Sequence, residues 1–214
     1  SGGSYSVPDM SACQCPAEEP ADGCRVEVAC VGDSACSSKT LDATGARGDL
    51  VLTCSGNRAC YKLIVLCPPS PHACDVRCTG SGSNTCNRID VRAEGAARLA
   101  FACGTSSDNN CGYQAKLACP TSTAAAPPAG GPACAVACTA TGSAENTCSS
   151  MAVQAGPAGA RVACAEADAN SGQSKFTCHE LQLLPPAGAA VAAGAPLAIA
   201  CSACTGQDSD PEKS

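Results

Sequence analysis

The chain has 214 residues, of which 21 are cysteine and five aromatic (Tyr5, Tyr61, Phe101, Tyr113, Phe176), with no Trp. That usage points to a disulfide scaffold made in an oxidising compartment and excludes a core built mainly of large side chains. A net charge of −6 without a contiguous basic run excludes nucleic acid as the expected partner, and no stretch approaches the roughly 20 apolar residues of a membrane span.

The start, Ser1-Gly2-Gly3 without Met or a signal peptide, reads as a mature chain, a processed fragment or a segment of something longer. Residues 1–14 are expected to form an N-terminal cap or linker. From Cys15 to Cys204 one motif recurs: apolar-x-apolar-x-Cys, a polar loop, a second Cys, and another apolar run. It opens at Cys30, Cys54, Cys78, Cys103, Cys138, Cys164 and Cys201, with gaps of 24, 24, 25, 35, 26 and 37 residues. Two residues before each of these cysteines stand Val28, Leu52, Val76, Phe101, Val136, Val162 and Ile199. Four before stand Val26, Leu50, Cys74, Leu99, Cys134, Ala160 and Leu197. Alternation with period two predicts strands with one face inward.

The later run in each unit carries Leu41, Leu63/Val65, Ile89/Val91, Ala115/Leu117, Met151/Val153 and Leu181/Leu183. A period of about 24 residues with two strand-like runs predicts a coiled solenoid. The expected fold is all-β: a right-handed parallel β-helix of about six coils of 24–26 residues, longer where loops are inserted. Residues 205–214 form an acidic polar tail.

The cysteines suggest two sets of bridges. One closes the first loop of each coil: Cys30–Cys36, Cys54–Cys60, Cys78–Cys86, Cys103–Cys111, Cys138–Cys148 and Cys164–Cys178. The other closes a Pro-rich loop in alternate coils: Cys15–Cys24, Cys67–Cys74 and Cys119–Cys134. Cys15, Cys67 and Cys119 are 52 residues apart, which makes a two-coil module the larger repeat (15–66, 67–118, then 119–204). In the last occurrence Leu184 and Leu197 are aligned with Cys119 and Cys134, as expected if both members of an inward-facing pair are lost together. Cys201–Cys204 is the default tenth pair, and Cys13 is left over as a candidate interchain thiol. Connectivity stays open on sequence alone.

Readable chemistry is sparse. Cys201-Ser-Ala-Cys204 has zinc-knuckle or redox spacing, but His72 and His179 stand alone in different coils and the setting is oxidising, so no metal or cofactor is expected. Asp75, Arg77, Arg88, Asp90, Arg92 and Glu94 read as a solvated charge set. Tyr61 and Tyr113, placed near the start of the second strand, read as packing at the core edge. Coil length resembles that of parallel β-helix polysaccharide lyases and hydrolases, which implies outward carboxylates for acid/base work, with Asp90 as the residue to test. Small size, bridges and Ala/Thr/Ser content resemble solenoid ice-binding proteins, but Thr139-Ala-Thr141 occurs once, in a loop.

Pro68-Pro69-Ser70-Pro71, Thr121-Ser122-Thr123 with Pro127-Pro128, and Pro185-Pro186 resemble the Ser/Pro and Pro/Pro tracts of algal and plant wall glycoproteins. That resemblance implies hydroxylated prolines and O-linked sugar at these positions. The expected role is a non-enzymatic, extracellular structural protein, a subunit or segment of a surface fibre, wall or matrix. It would self-associate or meet other matrix proteins and glycans. A carbohydrate- or ice-binding module is the alternative.

Overall fold

The computed structural model describes residues 25–80, 82–105, 113–121, 132–140, 147–166, 178–186 and 197–202. Among them there is no helix. Thirteen strands follow one another: β1 (Arg25–Val31), β2 (Thr40–Asp42), β3 (Asp49–Ser55), β4 (Ile64–Leu66), β5 (Ala73–Gly80), β6 (Asp90–Arg92), β7 (Arg98–Thr105), β8 (Lys116–Ala118), β9 (Cys134–Ala140), β10 (Ala152–Gln154), β11 (Ala160–Glu166), β12 (Gln182–Leu184) and β13 (Leu197–Ser202). The odd strands form one seven-stranded sheet and the even strands a second, six-stranded sheet. All the strand pairs in both sheets are parallel. One long strand and the short strand after it make one coil. Six such coils stack, and β13 opens a seventh. The protein is a parallel β-solenoid, on the order of 30 Å long at about 4.8 Å per coil.

Register explains the core. In β1 exposure and burial alternate residue by residue. The inward positions pair with their own equivalents, so Val28, Leu52, Val76, Phe101, Val136, Val162 and Ile199 form one column. Leu41, Val65, Val91, Leu117, Val153 and Leu183 form the facing column of the second sheet. A one-residue slip would send every one of these side chains to solvent, so the pattern fixes the register. A single apolar cluster runs from Val26 to Val162 between the sheets. It thins at the C-terminal end, where Ile199 is 47% exposed.

The later apolar run is shorter as a strand than its sequence suggests. Leu63, Ile89, Ala115 and Met151 are buried, but each sits in the turn just before a three-residue strand. In coil 1 the equivalent position is Lys39, which is exposed. Thr139 also departs from expectation. It lies in β9, between Gly104 and Ala165, rather than in a loop.

The first loop is a chain of turns, not a slack connection. In coil 2, Ala59 N donates to Gly56 O, Tyr61 N to Arg58 O and Leu63 N to Cys60 O, each at 3.2 Å. The third residue of each turn has a left-handed backbone: Arg58, Cys60 and Lys62 have φ of 57°, 54° and 54°. Their own N–H groups point along the solenoid axis. Arg58 N donates to Ser83 O, Cys60 N to Ala35 O and Lys62 N to Asn87 O, at 2.8, 2.8 and 2.9 Å. Alternate N–H groups therefore close turns within a coil while the others join neighbouring coils. Coil 1 repeats the conformation at Ser34, Cys36 and Ser38, and coil 3 at Asn84, Cys86 and Arg88. Left-handed non-glycine residues cost about 1–2 kcal/mol each, and satisfying every donor of the turn offsets that cost.

Candidate functional site

Cys30, Cys54, Cys78, Cys103, Cys138 and Cys164 pair in register down the first sheet and form one sulfur column, and the backbone of Cys201 continues the register. Cys30–Cys36, Cys54–Cys60, Cys78–Cys86, Cys138–Cys148 and Cys164–Cys178 are joined, and so are Cys67–Cys74 and Cys119–Cys134. Cys103 is disulfide-bonded. Its expected partner Cys111, together with Cys13, Cys15, Cys24 and Cys204, lies outside the described residues. Each short loop closed this way stabilises the fold by about 2–3 kcal/mol through the unfolded chain.

The sulfur atoms of Cys54, Cys78 and Cys86 lie within 4.8 Å of one another. This is bridge stacking. All three are oxidised in the Cys54–Cys60 and Cys78–Cys86 bonds, so they offer no thiolate to a metal.

The Pro-loop corner corrects one argument from the sequence. β12 pairs Leu184 with Gln154, which itself pairs with Ala118. Leu184 is therefore equivalent to Ala118, one position short of Cys119, and it is 37% exposed rather than inward. The residue standing where Cys119 would be is Pro185. The backbone of Leu197 does share the Cys134 register, through Ala160. The informative comparison lies in the other coils. Ala43 and Ala93 occupy the Cys67 and Cys119 positions, as their bonds to Leu66 O and Ala118 O show. Leu50 and Leu99 occupy the Cys74 and Cys134 positions. The same buried corner is filled by Ala plus Leu in coils 1 and 3, by Ala155 and Ala160 in coil 5, and by a disulfide in coils 2 and 4.

The charge set divides between the two sheets. Asp75 and Arg77 sit on β5, with the guanidinium 2.5 Å from the carboxylate, while Asp90 and Arg92 sit on β6 at 2.8 Å. These pairings hold both guanidinium groups above their ordinary pKa, chiefly through the hydrogen bond to Asp75 or Asp90. Arg88 does not flank Asp90 as an ion-pair partner. It turns back over the Tyr113 ring, 5.9 Å from its centre. Asp42 accepts from the Thr44 hydroxyl at 2.6 Å and from the Thr44 N–H at 2.9 Å, which lowers its pKa.

Neither tyrosine packs at the core edge. Both lie in the first-loop turns, Tyr61 half-buried and Tyr113 39% exposed. Arg58 and Lys62 sit over the Tyr61 ring, 5.0 and 5.2 Å from its centre. Turn hydrogen bonds from Lys62 to Asn87 and from Arg88 to Tyr113 place Tyr61, Asn87 and Tyr113 in one row. Lys62 and Arg88 stand in the row beside it. The sequence hid this arrangement because the residues are about 25 positions apart and coil 4 carries one extra residue in the loop. The available signal was a cation two residues after the second Cys in coils 2 and 3, Lys62 and Arg88, with Arg58 two residues before it in coil 2.

His72 and His179 belong to different loops and are not brought together. His72 bonds through its backbone to Pro69 and Ala97, and the His179 carbonyl accepts from Ser150. Of the candidate sugar acceptors, Pro69, Ser70, Pro71 and Pro185 are exposed, while Pro68 and Pro186 are buried. A sugar has no room at those two buried prolines in the folded chain. Thr121 is exposed but its hydroxyl donates to Glu94 O at 2.8 Å. Ser122, Thr123, Pro127 and Pro128 lie outside the described residues. A groove of about 630 Å³ runs over the second sheet, with Arg92, Glu94, Lys116, Thr121, Gln154 and Pro186 among its walls.

Fold and bridges define the class: a disulfide-laddered parallel β-solenoid of the kind an oxidising compartment permits. No helix among the described residues is long and apolar enough to cross a membrane. Comparison with protein-family models, curated proteins and solved structures found no match. The functional reading therefore rests on the chain's own residues.

Proposed function

We propose that the chain is a non-enzymatic structural element of an extracellular fibre, wall or matrix. The observation that carries this reading is the sulfur column, in register through six strands and bridged loop by loop. Covalent closure of nearly every coil resists local opening, and local opening is what proteases and shear exploit. Sheet charges support the same reading: the carboxylates Asp75 and Asp90 are engaged by their own arginines rather than presented to a substrate. We extend the proposal to O-linked sugar on the exposed residues Pro69, Ser70, Pro71 and Pro185, in the manner of algal-type wall glycoproteins, and to linkage between subunits through Cys13.

Electron microscopy of native material, with non-reducing and reducing gels, tests it. Filaments or wall-bound particles, and a disulfide-linked species that collapses to monomer on reduction, are expected. A dispersed monomer in both gels and in the medium would refute the assembly.

A further inference from the structure

We infer that the first-loop edge of coils 2 to 4, with the adjoining start of β8, binds a linear acidic polysaccharide, through the cationic groups of Arg58, Lys62 and Arg88 and of Lys116. Folding assembles this patch from residues that no single stretch of sequence brings together. Arg25–Glu27, Arg77–Asp75 and Arg92–Asp90 are ion pairs. All three lie on the sheets, and none uses Arg58, Lys62 or Arg88 of the loop edge, or Lys116 at the start of β8. Those four are exposed, and they remain available on a chain whose net charge is −6.

Three of them are also held in place. Arg58 and Lys62 share the Tyr61 ring and Arg88 lies over Tyr113. Their backbones are fixed by left-handed turns bonded to the adjacent coils. Long cationic side chains normally lose rotamer freedom when they grip an anion. Here the tyrosines have already restricted them, which lowers that cost.

The geometry selects the ligand. Lys62 and Arg88 occupy the same position on successive coils, about 4.8 Å apart along the axis, and the two tyrosines are two coils apart. Cations in a line fit a polymer whose charges recur along a line. Between Arg88 and Lys116 lies an open hollow of about 510 Å³, with Gln114 and Ser150 on its walls. The Gln114 amide suits sugar hydroxyls, the Ser150 hydroxyl donates to Glu180 at 2.9 Å and keeps its acceptor side for them, and the two cations suit a carboxylate or sulfate. Asp90 also borders the hollow, and its carboxylate is occupied by Arg92. A duplex nucleic acid, with its denser charge, meets net repulsion from the acidic body of the chain. The inference does not depend on assembly, because a monomer would bind in the same way.

The test passes the oxidised chain over immobilised polygalacturonate, dextran sulfate and neutral dextran. Retention on one or both polyanions, absent on neutral dextran and lost as salt rises, is expected. The two polyanion arms distinguish carboxylate from sulfate. The R58Q/K62Q/R88Q variant should bind at least tenfold more weakly, with a shallower salt dependence. Arg161→Gln, on the outer face of β11, should bind within twofold of the parent. Tyr61→Leu keeps every charge, so it should weaken binding about threefold and leave the salt slope unchanged. That is the mark of a residue that positions the cations. Should the triple variant lose its fold by circular dichroism, Lys62→Gln and Arg88→Gln singly, each about threefold weaker, serve instead. Unchanged binding by these variants, equal retention on neutral dextran, or equal affinity for duplex DNA would each overturn the assignment.

Discussion

Ser38 holds φ at 55° with an ordinary side chain, as do Lys62, Arg88, Gln114, Ser150 and Glu180 at equivalent places. Such a backbone normally calls for glycine. It survives because Ser38 N donates to Tyr61 O of the next coil at 2.7 Å while its neighbours close turns within their own. The cost is therefore local and measurable. Ser38→Gly removes the left-handed penalty but adds freedom to the unfolded chain, so its stability should stay within about 1 kcal/mol of the parent. Ser38→Val adds a branch at Cβ in the same backbone and should lose about 2 kcal/mol. Guanidinium melts of the oxidised protein measure both. Equal losses in the two variants would mean that the side chain of Ser38, not its backbone, is what matters. The serines two residues from Cys36 and the cations two residues from Cys60 were visible in the sequence. Their conformation was not, because left-handed non-glycine residues have no compositional mark.

At the scale of the element, the long strands were legible because a period of two with a covalent anchor leaves little choice of register. Val28, Leu52 and Val76 had to stack if Cys30, Cys54 and Cys78 did. The short strands were less legible. Their inward residues split between a three-residue strand and the turn before it, so Leu63 and Val65 looked like one run. The alignment of Leu184 with Cys119 failed for a related reason. Pro185-Pro186 looked like Pro68-Pro69, but pairing of Leu184 with Gln154 shifts the corner by one residue.

Close stacking of turns makes its own demand. Gly56 has φ of 121°, and a Cβ there would meet Gly32 O at 2.7 Å. Gly95, in the second-loop turn, has nothing within 4 Å of such an atom. Gly56→Ala should therefore cost at least about 2 kcal/mol, combining strain with a backbone collision. Gly95→Ala should be neutral or up to about 1 kcal/mol stabilising. Thermal melts of the two variants separate them. If Gly56→Ala melted no lower than Gly95→Ala, the coils would not be as tightly stacked at the first loop as the hydrogen bonds imply.

For the whole molecule, the question is whether the bridges replace a core or reinforce one. The apolar columns are continuous through six coils, and Phe101 and the Leu and Val residues around it are fully buried. Aromatic content is low, but Ala, Val and Leu in register do fill the interior. The Pro-loop corner offers an internal control, because coil 3 closes it with Ala93 and Leu99 where coils 2 and 4 use Cys67–Cys74 and Cys119–Cys134. The double variant Cys67→Ala with Cys74→Leu rebuilds the coil 3 corner inside coil 2. It should fold, keep the remaining bridges, and lose about 2–3 kcal/mol, the amount set by opening a loop of seven residues' separation. Cys67→Ser with Cys74→Ser opens the same loop but leaves two hydroxyls in a corner built for apolar atoms. It should lose more, by about 1–3 kcal/mol per unsatisfied group. The difference between the two variants isolates packing from covalent closure. If both fell equally far, closure alone would hold the corner, and the Ala/Leu filling of coils 1 and 3 would be incidental. If the Ala/Leu variant lost nothing, the second set of bridges would serve the loop it closes rather than the rod, which would direct attention to Ser70 and Pro71 at its exposed tip.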